Sequence, residues 1–481
     1  MKEILYIQAG SQANYIGTHF WNTQESYFTY EDEEAPATSH GISFREGLNK
    51  KGEPTFCPRL LAFDHKARFG TLSQANALFG MDDATDEQIL WSATPVQYKQ
   101  EPVRKSDYQT SMEGLDLDAG SPSSTVQLTD IQYWSDFNRM YYIPRTVQKV
   151  PDIPDWEDIE GNWAAGKETF ARYNEDTDLM EGSLRLFLEE CETIQGVQLM
   201  HDTSTFGSFV DSFLTSLRDD FVKLPLLAWP LLSDVLPSIE GVDDKRGRRK
   251  IINDALVLRS LSELSSMNIP IQSPTTWTDD VCRNTYLQAN QAHAYHTSAI
   301  LSALIETATL PLRLGAPKDD ISDLCAQLSW RTALPFAELS GVFPRADTLD
   351  LEKRIYNFST AGTLHATHTL AAAYSLPTSF PPFFSSGDSS LPLSGPSGLL
   401  SRPKSTSVFA SIAATSRSGN LFSGYARFLE QCTRRKISME NAGIDFDEMG
   451  DLANDLWTLH DNAGGEMDDN SDTDMRGEDE E

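Results

Sequence analysis

The first residues of the chain, MKEILYIQAGSQANYIGTHFW, have the pattern of a strand, a loop of small residues and the start of a helix. The run EILYIQ is short and apolar, which is typical of a strand that is buried on both faces of a parallel sheet. After Gly10, apolar residues recur at helical spacing through Ile16, Phe20 and Trp21. A strand that leads into a helix through such a loop is half of a βαβ unit, and the start of its helix can bind phosphate.

The same pattern returns later in the chain. The stretch GVQLMHDTSTFGSFVDSFLTSLRDDF contains a short apolar run, a loop of hydroxyl residues and a helical segment. Two further segments, ALVLRSLSELSSM and TSAILSALIETATL, also have helical spacing. Apolar runs that alternate with helices predict an α/β fold with helices on the faces of the sheet. At 481 residues the chain is long enough for two or three domains.

Shifts in composition divide the chain into five segments. We predict a first strand-loop-helix at 1–30, a polar and partly disordered insertion at 31–130, the remainder of a nucleotide-binding-type domain at 131–290, a connecting helix and second domain at 291–445 with a Pro/Ser-rich loop at 375–408, and an acidic carboxyl-terminal tail at 446–481.

The charge of the chain limits its partners. A formal charge of −32 disfavours direct binding of nucleic acid or anionic lipid, so we expect protein partners. The basic run KRGRRK at 245–250 is expected to be a solvated loop, with contact to phospholipid or an acidic partner as the alternative. No stretch is long and apolar enough to cross a membrane. The five cysteines are widely spaced, which favours free thiols in a reducing compartment.

The sequence gives little support for a metal or catalytic site. Two histidine pairs, His293 with His296 and His365 with His368, have the spacing of one helix face, but no acidic or cysteine partner lies near them in the sequence. No nucleophile, zinc-protease or phosphate-loop motif is present. We therefore expect no metal and no catalytic residue of these kinds.

Four motifs occur in the same order as in tubulins. They are IQAG with NxIGxxFW in the first helix, then GNWAAG, then QGVQLMH, and finally TLPLRL followed by LPFAEL. On these residues the chain resembles tubulin, and with a large insertion after the first helix it resembles the misato/Dml family of tubulin-like proteins. The resemblance implies a parallel-sheet nucleotide-binding-type domain and a second, smaller α/β domain.

The resemblance also implies the position of a vestigial nucleotide site. The residues that stand at the matching positions are Gly10, Ser11, Gln12, Asn14, Gly161, Asn162, Ser204, Thr205, Gly207, Ser208 and Asn284.

The second loop departs from the tubulin pattern. Tubulins carry GGGTGSG after the QGFQLTHS strand, where bare backbone N–H groups surround phosphate. Here the run is DTSTFGSF, in which only Gly207 remains. Phe206 and Phe209 add bulk, and Asp202 adds negative charge beside the expected phosphates.

Two further departures concern the first loop and hydrolysis. Ser11 and Ala13 stand where tubulins have Gln and Gly. In ISDLCAQL, Asp323 matches the tubulin pattern, but Ala326 stands where tubulins carry the acid that completes GTP hydrolysis. Without a carboxylate to orient the attacking water, we expect no enzymatic activity.

The resemblance implies a role in the distribution of mitochondria and the inheritance of mitochondrial DNA, through protein contacts. We expect a protein of the cytoplasm and of the cytosolic face of mitochondria, peripheral to the membrane. No cofactor is expected, unless GTP or GDP is kept as a structural ligand. Tubulin or a cytosolic chaperonin are the candidate partners. The alternatives are a tubulin-like polymerising GTPase and an adaptor in tubulin folding or microtubule assembly.

Overall fold

The computed structural model describes most of the chain. The described residues are 2–28, 38–48, 54–70, 131–151, 161–238, 245–278, 290–315, 319–329, 334–342, 355–360, 362–363, 370–376, 406–437, 439 and 442–463.

The strands and helices of these residues are numbered along the chain. The strands are β1 (Lys2–Ala9), β2 (Phe44–Leu48), β3 (Pro54–Pro58), β4 (Leu60–His65), β5 (Val147–Val150), β6 (Thr193–Asp202), β7 (Leu226–Leu231), β8 (Met267–Asn268), β9 (Glu338–Val342), β10 (Tyr356–Asn357), β11 (Gly362–Thr363), β12 (Leu370–Leu376) and β13 (Thr406–Ala413). The α-helices are α1 (Ser11–Ser26), α2 (His40–Ser43), α3 (Trp163–Thr177), α4 (Arg185–Glu189), α5 (Thr203–Asp220), α6 (Lys245–Leu264), α7 (Ala294–Thr309), α8 (Ile321–Ser329), α9 (Ser418–Arg434) and α10 (Phe446–Asn462).

Six of the strands form a parallel sheet in the order β5-β4-β1-β6-β7-β8. The opening strand β1 lies inside this sheet, where Tyr6 is in register with Leu60 of β4 and with Gln198 of β6. Every residue of β1 after Lys2 is buried, as expected for a strand with neighbours on both edges and helices on both faces. The prediction of an α/β fold built on a buried parallel sheet is confirmed.

Alternate side chains of β1 face two separate apolar clusters. Leu5, Ile7 and Ala9 pack with residues of α3, α5, α6, α9 and α10 on one side of the sheet. Ile4 and Tyr6 pack with residues of α1, α7 and α8 on the other side. This alternation follows from the two-residue period of a strand. It places α1 and α5, which follow the neighbouring strands β1 and β6, on opposite faces of the sheet.

A second sheet contains β11, β10, β9, β13 and β12, in that order and antiparallel where adjacent strands pair. Helix α7 lies between the two sheets. Its Ile300 and Leu304 belong to the cluster that contains Leu227 of β7 as well as Leu339 of β9 and Ala410 of β13. Helix α7 thus packs against residues of both sheets.

The prediction that residues 31–130 are a polar insertion is wrong for part of that segment. Residues Leu60–His65 form β4, which pairs with β1 on one edge and with β5 on the other. Ahead of β4, the strands β2 and β3 pair as an antiparallel hairpin. The apolar run LLAFDH is only six residues long and lies in a polar context, so its period could not be recognised. Residues 71–130 lie outside the described residues.

The carboxyl-terminal region also differs from its prediction. The segment 446–481 was expected to be a solvated acidic tail, but its first part is helix α10. Asp445 and Glu448 form a reciprocal capping box at the start of α10. Leu452 and Leu456 of this helix are fully buried against α9 and the core. The apolar residues of α10 recur at helical spacing, which indicates an amphipathic helix. The prediction was wrong because it relied on the many acidic residues of the exposed face.

The remaining predicted segments are only partly described. Strands β12 and β13 take in the ends of the Pro/Ser-rich stretch 375–408, while residues 377–405 and 464–481 lie outside the described residues. None of the helices in the described ranges is both long enough and apolar enough to span a bilayer.

Candidate nucleotide-type site

A cavity of about 520 Å3 opens at the carboxyl-terminal edge of the parallel sheet. It lies where β1, β6 and β7 end, which is the edge at which open α/β sheets bind ligands. Its walls are mostly polar and come from Ser11, Gln12, Tyr15, Arg68, Gln132, Tyr133, Asp202, Ser204, Leu231, Leu232, Ser233, Asp234, Lys250, Ile271, Gln272, Ser273, Pro274, Thr275, Gln291, Ala292, Ala294, Thr297 and Leu301.

The carboxylate of Asp202 binds the start of helix α1. Its Oδ2 accepts a hydrogen bond of 2.9 Å from the backbone N–H of Gln12, and its Oδ1 accepts one of 2.9 Å from the backbone N–H of Ala13. The first N–H groups of a helix have no partner within the helix and carry a partial positive charge. A side chain from the end of β6 therefore accepts hydrogen bonds from these N–H groups and offsets the partial positive charge at the start of α1.

Gly10 makes this contact possible. Its φ is +108°, in a region that favours glycine, and a Cβ at this position would lie 2.5 Å from Cγ of Asp202. The glycine of the IQAG motif therefore leaves room for the carboxylate.

Asp202 has a buried carboxyl neighbour, Asp64 of β4. Burial raises the pKa of Asp202 to about 7, against the lowering effect of the bonds from Gln12 and Ala13, and the charge of Asp64 raises it further. Burial also raises the pKa of Asp64 to about 6. Asp64 accepts a 3.0 Å hydrogen bond from Nε1 of Trp134. The two buried carboxyl groups thus hold their protons more tightly than carboxyl groups in water do.

The tubulin fold implies a guanine nucleotide at this edge, and the residues at the start of α1 do not fit its phosphates. The two N–H groups that would bind a phosphate are engaged by Asp202. A phosphate placed there would also lie against the charge of this carboxylate. A phosphate therefore cannot bind these two N–H groups while Asp202 is bound to them.

The second phosphate loop of tubulins is replaced by the start of α5 and a buried polar network. Helix α5 begins at Thr203, directly after β6. Oγ1 of Thr203 lies within hydrogen-bond distance of both the carbonyl of Leu231 and the carboxylate of Asp254, to one of which its single O–H donates. Asp254 also accepts a 2.6 Å bond from Oγ of Ser233 and a 3.1 Å bond from the hydroxyl of Tyr425. This network joins α5, the end of β7, α6 and α9 behind the cavity.

Of the residues that the sequence assigned to the site, Ser11, Gln12 and Ser204 line the cavity. Gly10 lies beside them against Asp202. Asn14 is buried and donates from its side chain to the carbonyl of Phe63, so it joins α1 to β4.

Three other assigned residues lie outside the cavity wall. Asn162 accepts the N–H of Ala165 and caps α3. The carbonyl of Gly161 accepts a 2.8 Å bond from the side chain of Asn253 on α6. Thr205 is in the first turn of α5 but does not line the cavity. Asn162 and Gly161 thus contact the helices α3 and α6 beside the site.

Gly207 and Ser208 lie in helix contacts. A Cβ on Gly207 would lie 2.7 Å from Cγ2 of Val257 on α6, and a Cβ on Gly166 of α3 would lie 1.8 Å from Oγ of Ser208. The glycine that remains from the tubulin loop therefore permits helix packing. Asn284, the proposed base contact, lies outside the described residues.

The sequence assignment did not include two cations that line the cavity, Arg68 and Lys250. Arg68 follows the unrecognised strand β4. Lys250 belongs to the basic run that was predicted to be a solvated loop, and this prediction is wrong because 245–250 form the first turns of α6. Nζ of Lys250 bonds to Oδ1 of Asp234 at 2.6 Å. The run KIINDALVL that begins at Lys250 could have indicated the helix, because Ile251 and Ala255, like Ile252 and Leu256, recur at helical spacing.

Helix α8 carries the position at which tubulins have their hydrolytic acid. Asp323 and Ala326 are exposed on α8, while Leu324, Cys325 and Leu328 are buried beneath them. The exposed face at this position thus presents a methyl group in place of a carboxylate.

Comparison with known proteins gives two family matches. Residues 2–114 match the Misato Segment II tubulin-like domain, and residues 123–314 match a tubulin domain. Among curated proteins, the chain is 36% identical over 319 residues to Protein DML1 of Gibberella zeae and 35% identical over 322 residues to Protein dml1 of Aspergillus niger. It is 29% identical over 357 residues to Protein misato of Drosophila melanogaster.

These matches cover part of each protein. They span 65% of this chain for the two fungal relatives and 67% for the insect one. The corresponding shares of the relatives' own length are 61%, 62% and 62%.

Proposed function

The chain belongs to the misato/Dml family of tubulin-like proteins, and we propose that it is a non-catalytic member that supports the distribution and inheritance of mitochondria through protein contacts. The observation that carries the non-catalytic part is the bidentate bond from Asp202 to the backbone of Gln12 and Ala13. Phosphoryl transfer depends on the positioning of phosphates by such donors. In this chain the donors bind a side chain instead.

A second observation supports the same proposal. In tubulins a neighbouring subunit supplies the acid for hydrolysis, whereas here the matching exposed position on α8 is Ala326. Its methyl group has no lone pair with which to orient water. Both halves of the hydrolytic machinery are thus changed in one chain.

We propose that the partners are proteins with basic surfaces, tubulin or a cytosolic chaperonin among them. The chain carries 71 acidic against 39 basic side chains, so a basic surface would be attracted to it from beyond contact distance. We place the protein in the cytoplasm and peripherally on the cytosolic face of mitochondria. We also propose that no resident cofactor is needed.

A phosphate-release assay tests the non-catalytic part of this proposal. Purified full chain is incubated with GTP and Mg2+, and phosphate release is compared with a buffer control. We expect no difference. Turnover that is abolished by Ser204→Trp, which fills the cavity, would show a GTPase and would favour a polymerising tubulin relative.

The cellular part is tested by depletion and rescue. Cells depleted of the endogenous protein are expected to lose even segregation of mitochondria, and re-expression of wild type or of Ser11→Ala should restore it. On isolated intact mitochondria, the protein should be digested by added protease. Protection until the outer membrane is ruptured would refute the proposed location.

A further inference from the structure

We propose that Asp202 is the specificity-determining residue that excludes nucleotides from this cavity, and that its removal alone restores a phosphate-binding position at the start of α1. This inference goes beyond the proposed function, because a protein without turnover can still bind a nucleotide. It assigns to one side chain the exclusion of a phosphate from the start of α1.

The geometry of the contact indicates that the carboxylate of Asp202 takes the place of a phosphate at the start of α1. Two oxygens of one group bind two successive N–H groups of one helix start, each at 2.9 Å. A phosphate at a helix N-terminus is bound by the same kind of donors. A Cβ at Gly10 would lie 2.5 Å from Cγ of Asp202, so the carboxylate itself occupies the volume beside this helix start that a phosphate oxygen would need.

The rest of the cavity remains suited to a nucleoside phosphate. Its volume of about 520 Å3 falls within the range of about 300–1,000 Å3 that is typical of ligand pockets. Arg68 and Lys250 bring positive charge to its wall, and Ser204 lies at the start of α5. Within the described residues, no side chain caps the first turn of α5. A smaller neutral residue at 202 would therefore leave two helix starts and Arg68 facing one cavity, with Lys250 paired to Asp234 in its wall.

A purely structural role for Asp202 makes a different prediction. If the carboxylate only caps α1, its replacement would lower stability and leave nucleotide binding unchanged. If it occupies the phosphate position, its replacement would create nucleotide binding. A gain of nucleotide binding in the Asp202 variants separates the two roles, because a loss of stability alone cannot produce it.

The experiment compares the full chain as wild type, Asp202→Ser, Asp202→Asn and Asp234→Ser. Asp234→Ser is the matched control, because it also removes a carboxylate from the cavity wall but one that bonds to Lys250 and not to α1. Thermal unfolding is measured at pH 8 with and without 1 mM Mg·GTP, Mg·GDP or pyrophosphate. We expect a rise in melting temperature of several degrees for Asp202→Ser with each nucleotide, and under one degree for wild type and Asp234→Ser.

Hydrogen exchange of the backbone N–H groups of Gln12 and Ala13 gives a second readout. We expect exchange to be at least tenfold faster in Asp202→Ser than in wild type, and to slow again when GTP is added. If Asp202→Ser does not fold, Asp202→Asn takes its place, because its amide keeps one acceptor for α1 and removes the charge.

The outcomes are distinct from those of the turnover assay. Nucleotide binding by Asp202→Ser without phosphate release supports both proposals. Stabilisation of wild type by GTP, or equal gains in Asp202→Ser and Asp234→Ser, would overturn the inference while leaving the non-catalytic function open. A folded Asp202 variant that gains no binding would also overturn it.

Discussion

At the scale of single residues, the surroundings of Asp202 have two opposite effects on the pKa of its carboxyl group. Its hydrogen bonds to Gln12 and Ala13 favour the charged form, while burial and the nearby Asp64 disfavour it. Arg68 is the cation that acts on both carboxyl groups. Because burial is the largest of these effects, the carboxyl of Asp202 binds its proton more tightly in the folded protein than in the unfolded chain.

This difference predicts a pH dependence of stability. A pKa raised from 3.8 to about 7 on folding means that the contribution of Asp202 is greatest below pH 4 and is lost as the pH rises to about 7. In Asp202→Asn this titration is absent. Urea unfolding from pH 4 to pH 8 should show the stability of the variant, relative to wild type, rising by about 3–4 kcal/mol up to pH 7 and then levelling. A constant difference across this range would contradict the assignment.

A second residue-scale prediction concerns Phe20 of α1. Phe20 is 3% exposed, its ring lies 5.6 Å from that of Tyr6, and the guanidinium of Arg313 lies 4.9 Å from its centre. Phe20→Ala should lower the free energy of unfolding by about 3–5 kcal/mol, as for other buried aromatic residues. Ser11→Ala, at the cavity wall, is the control and should change it by less than about 0.5 kcal/mol. Chemical denaturation of both variants measures the difference.

At the scale of elements, α3, α5 and α6 pack closely because glycines lie at their contacts. Gly166 faces Ser208, and Gly207 faces Val257. These positions carry no side chain where two helices approach each other, so the helix axes can lie closer than with any larger residue. The remaining glycine of the second tubulin loop is thus retained for packing.

Gly207→Ala tests this packing. Its Cβ would lie 2.7 Å from Val257, and the clash should cost about 1–3 kcal/mol of unfolding free energy. Gly450→Ala in α10 is the matched control, because a Cβ there meets nothing within 4 Å. That change should stabilise the protein by up to about 1 kcal/mol, since alanine is the better helix former. Equal effects of the two substitutions in thermal unfolding would rule out the packing role.

Sequence patterns predicted the elements with long or repeated signals. The run EILYIQ and the helical spacing after Gly10 identified β1 and α1, and QGVQLMH identified β6. The strand β4 was missed because six residues are too few to show a period. The sequence also could not predict which helix the side chain of Asp202 binds. An aspartate between a strand and a helix normally caps the helix that follows it, and only the three-dimensional proximity of residues 190 positions apart turns it towards α1 instead.

At the scale of the whole molecule, Asp254 connects the carboxyl-terminal helices to the sheet. It is fully buried on α6, and it accepts hydrogen bonds from residues of α5, the end of β7 and α9. Burial raises its pKa to about 6, and its hydrogen-bond donors oppose that rise. The stability of the packing between α9 and the parallel sheet thus depends on a satisfied buried carboxyl group.

Tyr425→Phe tests this connection. The change removes the 3.1 Å bond from the Tyr425 hydroxyl to Asp254 while keeping the ring in place. We expect a loss of about 1–3 kcal/mol in unfolding free energy, because a buried acceptor loses one of its partners. Hydrogen exchange should accelerate in both α6 and α9. Tyr141→Phe is the control, since Tyr141 is 46% exposed and should show neither effect.

The central place of β1 in the sheet has a consequence for the synthesis of the protein. One edge of β1 pairs with β4, which follows within about 60 residues, but its other edge pairs with β6, where Lys2 meets Thr193. At about 5–20 residues per second, a ribosome needs roughly 10–40 s to make the intervening chain. For that time an apolar strand has an unpaired edge, which is open to association with other nascent chains. A chaperone that covers the unpaired edge of β1 until residue 202 has emerged would remove this hazard.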